Sequence, residues 1–272
     1  MKDEVRATDL GPARDRAQAD RTYVDRAQRY GQQAGRGSPH EHSRAELPRR
    51  DLRGDIATAG TDLYGPTYAA LDLGTNNCRL LIAQPNPEGF TVVDAFSRIV
   101  RLGEGLAATG RLSDAAIDRA LSALSICADK LRRRNVTLVR SVATEACRRA
   151  ENGRAFVERV YAETGLALEI ISPEQEARLA VMGCHALLEP GEGRALIFDI
   201  GGGSTELVLI ETGDEHAPPR VLDWFSAPWG VVSLTESGPI DAHEDADARG
   251  EAYAAMRRRV ADAFQPFAER LD

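Results

Sequence analysis

Two stretches of twelve residues, LDLGTNNCRLLI (71–82) and FDIGGGSTELVL (198–209), share one layout 127 positions apart. Asp72 matches Asp199, Gly74 matches Gly201, and Leu80 matches Leu207. Each stretch reads as an apolar strand, an acid, a turn of small residues and a second apolar strand. A single copy describes an ordinary hairpin. Two copies, at matching points of two runs of strands and helices, predict an α/β fold of duplicated lobes whose turns face each other across a cleft.

The chain around these stretches supports that organisation. Strands are expected at Tyr68–Asp72, Cys78–Ala83 and Phe90–Val100. Ile117, Leu121, Leu124, Ala128 and Leu131 recur in steps of four and three, one buried helical stripe, with Ser113 placed to cap it. Thr137–Thr144 reads as a strand, Gly153–Thr164 as a helix and Leu168–Ser172 as a further strand. Ser172, Pro173 and Gln175 form a capping box at the start of a helix whose apolar positions run from Ala177 to Leu188. The Pro- and Gly-rich segment 189–193 reads as a hinge, and Ala195–Ile200 as the strand that opens the second lobe. The expected domains are a tail over 1–66, a first lobe over 67–188 and a second lobe over 189–272. The tail has twelve basic and eleven acidic side chains, few aliphatics and no Phe or Trp. It buries too little surface to offset its ordering entropy and is expected to be disordered, with transient helix around 13–29.

The net charge of −8 argues against nucleic acid as the main partner. No run approaches the roughly 18 apolar residues of a membrane span, and the N-terminus shows no secretory h-region. Cys78, Cys127, Cys147 and Cys184 form no CxxC pair, so zinc and dithiol chemistry are unsupported. Three of them fall in apolar-periodic segments and are expected as buried free thiols, which fits a reducing cytoplasm.

The turns themselves point to phosphate. Bare glycine backbone exposes amide N–H groups and admits an anion where a Cβ would block it. Gly74, Thr75, Asn76 and Asn77 on one side, and Gly201, Gly202, Gly203, Ser204 and Thr205 on the other, are the candidate phosphate-binding residues. A carboxylate at the end of the incoming strand repels phosphate unless a hard divalent cation bridges the two, which is the usual work of Mg²⁺. Asp199, and Asp72 as its repeat partner, are therefore candidate metal ligands. A dinucleotide fingerprint fits poorly, because after Gly201 and Gly203 the third required position holds Glu206.

Five blocks now carry a family resemblance: ALDLGTNNCRLLIA (70–83), RIVRLGEGL (98–106), VATEACRRAENG (142–153), IISPEQEARLAVMG (170–183) and FDIGGGSTELVL (198–209), with PWGVVSLTE (228–236) as a weaker sixth. Over about residues 68–262 the chain resembles the exopolyphosphatase / guanosine pentaphosphate phosphatase (Ppx/GppA) family of the actin-like ATPase superfamily. The resemblance implies an actin-like (ribonuclease H-like) fold. It also implies Mg²⁺-dependent hydrolysis of a terminal phosphoanhydride in inorganic polyphosphate or guanosine pentaphosphate. By position, Glu176 becomes the water-activating base, Arg148 the arginine that meets phosphate, and Glu206 a second active-site acid. From its place on the outgoing strand alone, Glu206 could equally be a surface residue.

Three departures from the family pattern set further expectations. Thr75 and Asn77 stand where serines are usual, with donors retained. Glu145 stands where a neutral residue is usual and adds negative charge beside Arg148, which is expected to weaken anion affinity. After a helix near Asp247–Leu271 the family has another strand and a Gly-Thr-rich turn, but the sequence ends at Asp272. An unfilled edge of the second sheet is thus expected, favouring association, and the family resemblance implies a homodimer. The rival readings are a phosphotransferase (kinase) of the same superfamily and a non-catalytic polyphosphate-binding protein.

Overall fold

The computed structural model describes residues 65–87, 89–184, 187–188, 193–213, 219–238 and 246–271. Nearly all of the expected tail, including its helix around 13–29, and most of the expected hinge lie outside the described residues.

The chain forms an α/β fold with two sheets. The first contains β1 (Tyr68–Leu73), β2 (Asn77–Asn86), β3 (Gly89–Ile99), β4 (Leu138–Ala143) and β5 (Glu169–Ile170), in the order β3-β2-β1-β4-β5. β1 runs antiparallel to β2 and parallel to β4, so it is paired on both edges. The second sheet contains β6 (Gly193–Ile200), β7 (Thr205–Thr212) and β8 (Arg220–Ala227), in the order β6-β7-β8 and antiparallel throughout. It repeats the antiparallel β1-β2-β3 portion of the first, in keeping with the sequence repeat. Among the described residues the repeat strand β6 is at one edge of this sheet.

Helices α1 (Leu106–Thr109), α2 (Asp114–Arg133), α3 (Glu145–Arg149) and α4 (Gly153–Thr164) belong to the first lobe. The side chain of Ser113 accepts from the Ala116 N–H and so caps α2, and all five residues of the expected stripe are buried. They face Leu71, Leu73, Leu80 and Ile82 in one core. At about 1.5–3 kcal/mol for each large aliphatic side chain buried, this core is the main stabilising element of the lobe. Cys78, Cys127 and Cys147 are buried in it as free thiols, and Cys184 is free and half-buried.

Helix α5 (Pro173–Cys184) opens with the expected capping box. Ser172 N–H donates to Gln175 Oε1 at 2.8 Å, and Gln175 N–H donates to Ser172 Oγ at 3.2 Å. It is described as far as Cys184, and the two positions that follow lie outside the described residues. Ala177 and Val181 pack on Ile197, Val208 and Ile210 of the second sheet. The helix expected to close the first lobe thus rests on the second, because its small apolar face matches that sheet. Helices α6 (Val231–Ser237) and α7 (Ala246–Ala268) complete the second lobe. Phe267 of α7 is buried and stacks on Phe225 of β8 with ring centroids 6.0 Å apart. Among the described residues no helix is long and apolar enough to cross a membrane.

Candidate active site

The two glycine turns have the same backbone construction. Gly74 N–H donates to the Asn77 carbonyl at 2.9 Å, and Gly201 N–H donates to the Ser204 carbonyl at 2.9 Å. The outward carbonyls of each turn are tied to the segment after the third strand of its lobe. Val100 and Arg101 N–H reach the Asn76 carbonyl, and Gly103 N–H reaches that of Thr75. In the second lobe Val231 N–H reaches the Gly201 carbonyl, and Val232 and Ser233 N–H reach that of Gly202. With those carbonyls occupied, the N–H groups of Thr75 and Asn76, and of Gly202, Gly203 and Ser204, have no protein acceptor among the described residues. Two adjacent sets of amide donors are thus left over, the kind of surface that can receive an anion.

The supporting segments also extend the repeat. Gly103 and Gly230 lie 127 positions apart, as the turns do. A Cβ at Gly103 would lie 2.3 Å from Thr75 Cγ2, and one at Gly230 would lie 2.4 Å from the Gly202 carbonyl carbon. Only glycine allows either segment so close. The sequence carried this signal in RLGEGL and PWGVVS, but it shows only when the two are set against each other at the same offset.

The turns converge more closely than an open cleft would require. A Cβ at Gly202 would be 3.0 Å from Thr75 Cβ and 3.2 Å from Asn76 N. One at Gly203 would be 2.8 Å from Thr75 Oγ1 and 2.9 Å from Glu145 Cγ. The lobes are also joined where Gly105 N–H donates to Glu236 Oε1 at 3.0 Å. A cavity of about 10 Å³ remains between the turns, lined among others by Thr75, Glu145, Arg149, Gly203 and Ser233. That is room for about one water.

The acids converge with the turns. Asp199 and Glu206 are cross-strand partners on β6 and β7. At the matching place in the first lobe Asp72 is opposite Arg79. Burial raises the Asp72 carboxyl; Arg79 pulls it back and Asp199 adds to the rise. Glu206 is fully buried, which removes the reading of it as a surface residue. Its carboxylate accepts from Ser226 Oγ at 2.8 Å and bonds Ser204. Burial still holds its pKa above the ordinary carboxylate range, and Asp199 reinforces the shift. Asp199 itself is exposed, and among the described residues β6 has no neighbour on its outer edge.

Glu176 and Arg148 meet at the junction of α3 and α5. Arg148 Nη1 donates to Glu176 Oε2 and to the Ile171 carbonyl, each at 2.8 Å. Its Nε and Nη2 donate to Glu145 Oε2 at 3.2 and 2.8 Å. Burial works against the guanidinium charge, but Glu176 and Glu145 more than offset it and raise the Arg148 pKa. The Glu176 carboxyl is pushed up to about 7, first by burial, then by Glu206, with Arg148 opposing and Asp199 adding. Glu176 Oε1 has no protein donor among the described residues.

These turns, this Arg–Glu pair and these facing acids come from the motif blocks quoted above, and the sequence profile of the Ppx/GppA phosphatase family matches residues 81–271. The chain belongs to this family. Its Ppx/GppA relatives include exopolyphosphatase 2 of Mycobacterium tuberculosis, 37% identical over 207 residues that cover 73% of this chain and 61% of that one. A guanosine-5'-triphosphate,3'-diphosphate pyrophosphatase of Aeromonas hydrophila is 33% identical over 180 residues, 63% of this chain and 35% of that protein. The crystal structure of the Aquifex aeolicus Ppx/GppA member superposes with a TM-score of 0.54 at 34% identity, covering 68% of this chain and 58% of that chain. An exopolyphosphatase from Cytophaga hutchinsonii, 24% identical, shares the fold with a TM-score of 0.66, covering 75% of this chain and 62% of that chain. The chain thus spans about three fifths of the first relative and about a third of the second.

The Ppx/GppA chain brings Asp72, Thr75, Asn76, Arg148, Glu176, Asp199, Gly202, Gly203 and Glu206 together, whereas the Thr205 hydroxyl donates to the Trp229 carbonyl; Asp199 and Glu206 are the pair that could hold a cation. Like charges directly across a ladder are destabilising. A hard cation relieves that repulsion through oxygen donors. Among the described residues no three His, Cys, Asp or Glu side chains form a metal-holding group. Two facing carboxylates are a donor set that Mg²⁺ can take, its shell completed by water and phosphate oxygens.

Proposed function

We propose that this chain is a Mg²⁺-dependent phosphohydrolase that removes the terminal phosphate from inorganic polyphosphate or guanosine pentaphosphate. The observation that carries the reading is Glu176. One of its oxygens is fixed by Arg148, and the other has no protein donor among the described residues, with Glu206 and Asp199 close enough to raise its pKa. Its pKa of about 7 keeps a useful fraction ionised at neutral pH while leaving it basic enough to take a proton. The names of the Mycobacterium and Aeromonas relatives supply the substrate class.

In the reaction, Glu176 Oε1 accepts a proton from a water as that water attacks the terminal phosphorus. The bridging oxygen leaves with the shortened chain. The unused N–H groups of both turns and the guanidinium of Arg148 hold the phosphate oxygens and the charge that builds on them. Asp199 and Glu206 would hold Mg²⁺, which when bound neutralises phosphate charge. The tight junction excludes bulk water, and substrate enters as the lobes part at the Gly105–Glu236 contact.

The test is orthophosphate release from long-chain polyphosphate and from guanosine pentaphosphate, each with Mg²⁺ and with a chelator. Release from at least one substrate, lost on chelation, is expected. A folded protein that hydrolyses neither in Mg²⁺ overturns the reading.

A further inference from the structure

Among the described residues Arg148 is the one arginine whose guanidinium bridges two half-buried carboxylates at the lobe junction, and its donors are nearly all taken. A guanidinium has five N–H groups. Two on Nη1 are used by Glu176 and Ile171, and the Nε/Nη2 edge is used by Glu145. That edge is the fork that binds a phosphate through two parallel bonds. Glu145 Oε2 occupies it. The side chain is itself only 13% exposed and Arg148 is 15% exposed, so the pair is shielded from solvent. Glu145 Oε1 lies 3.9 Å from Arg149 Nε. Its Cγ lies against Gly203 of the opposite lobe, where a Cβ would approach within 2.9 Å. A carboxylate thus sits between two guanidinium groups and against a phosphate-binding turn, in the place an anion would take.

We propose that Glu145 is a resident stand-in for the substrate phosphate: it closes the site on itself, and the incoming phosphate must displace it from the Nε/Nη2 edge of Arg148. This rests on the hydrolase reading for its substrate but not for its geometry. Glu145 then acts as a specificity-determining residue. It discriminates against single orthophosphate, which has little binding free energy elsewhere with which to displace a shielded ion pair. A longer phosphate chain binds both turns at once and makes the displacement favourable. The displaced carboxylate keeps Arg149 as its partner. Neutral side chains at this position leave the fork open to any phosphate.

The experiment is calorimetric binding of orthophosphate and of tripolyphosphate to the full chain and to Glu145→Gln, with steady-state release from polyphosphate alongside. The substitution is expected to tighten orthophosphate about tenfold and tripolyphosphate by less. KM is expected to fall while kcat changes little, and orthophosphate becomes a stronger product inhibitor. In the double variant Glu145→Gln/Arg148→Gln the gain disappears. Unchanged or weaker orthophosphate binding in Glu145→Gln, or a fall in kcat at constant KM, overturns the proposal and makes Glu145 a support that orients Arg148. If Glu145→Gln melts early, Glu145→Asp keeps the charge but retracts it by a methylene. It should show the same gain in smaller measure, and no gain there overturns the proposal. If the wild-type chain releases no phosphate while Glu145→Gln still tightens orthophosphate, the hydrolase reading fails and the displacement stands. Release with no change in binding is the reverse.

Discussion

The two lobes start from the same hairpin and end with opposite electrostatics. In the first, Asp72 is opposite Arg79 and β1 is paired on both edges. In the second, Asp199 is opposite Glu206 and β6 is paired on one. The repeat positions of Leu71 and Leu73, almost fully buried, are Phe198 and Ile200, exposed by 57% and 64%. The first lobe neutralises its own acid and buries its own strand. In the second, among the described residues, Arg148 of the first lobe is the cation that opposes the rise at Glu206, and β6 has no outer neighbour. Duplication therefore repeats the backbone turn, while divergence at 79 and 206 sets an arginine opposite the acid in the first lobe and a second carboxylate opposite it in the second.

The largest effect should come from the supporting glycines. A Cβ at Gly230 meets backbone of Gly202, whereas one at Gly103 meets the Thr75 methyl, which has a rotamer to give. Gly230→Ala should cost about 3 kcal/mol or more by denaturant unfolding, and Gly103→Ala about 1–2 kcal/mol. Equal costs would mean that the Thr75 methyl cannot give way and that both glycines press on fixed structure.

Glu176 offers the next effect. Its folded pKa of about 7 lies above that of an unfolded glutamate. The folded state therefore binds more protons between roughly pH 4.5 and 7, and stability falls as pH rises through that window. Without Mg²⁺ the loss should be on the order of 2–3 kcal/mol, and Glu176→Gln should flatten it. Identical pH–stability slopes in the two proteins would remove the burial argument.

A smaller effect tests the contrast between the lobes directly. Glu206→Gln removes one of two facing acids and should raise stability in chelator by about 0.5–1 kcal/mol, while weakening Mg²⁺-dependent release. Arg79→Gln in the first lobe should do the opposite to stability, by a similar amount, with Mg²⁺ affinity unchanged. If both move the same way, the facing-acid explanation is wrong.

Local signals in the sequence were enough for much of this. Ser113, the Ser172–Gln175 box, the Gly153–Thr164 helix and the hairpin repeat depend on neighbours a few positions away, and each is present. What escaped depends on distant partners. Glu206 could not be assigned to core or surface without Ser226 on β8, a strand the sequence reading did not name. The capping box of α5 was legible, but the sheet on which its Ala177 face rests was not, because both lobes offer an apolar surface. Glu145 was legible as a charge beside Arg148, one helical turn away. Its contact with Gly203 crosses the lobe junction and has no local trace.

The central claim is that a carboxylate at the meeting point of two duplicated turns removes a proton from water at phosphorus. The most direct measurement is orthophosphate release from polyphosphate by Glu176→Gln in Mg²⁺, with tripolyphosphate binding followed in the same samples. The account predicts that release falls by about 10²–10⁴-fold while binding persists. Turnover at the wild-type rate in that variant would contradict it.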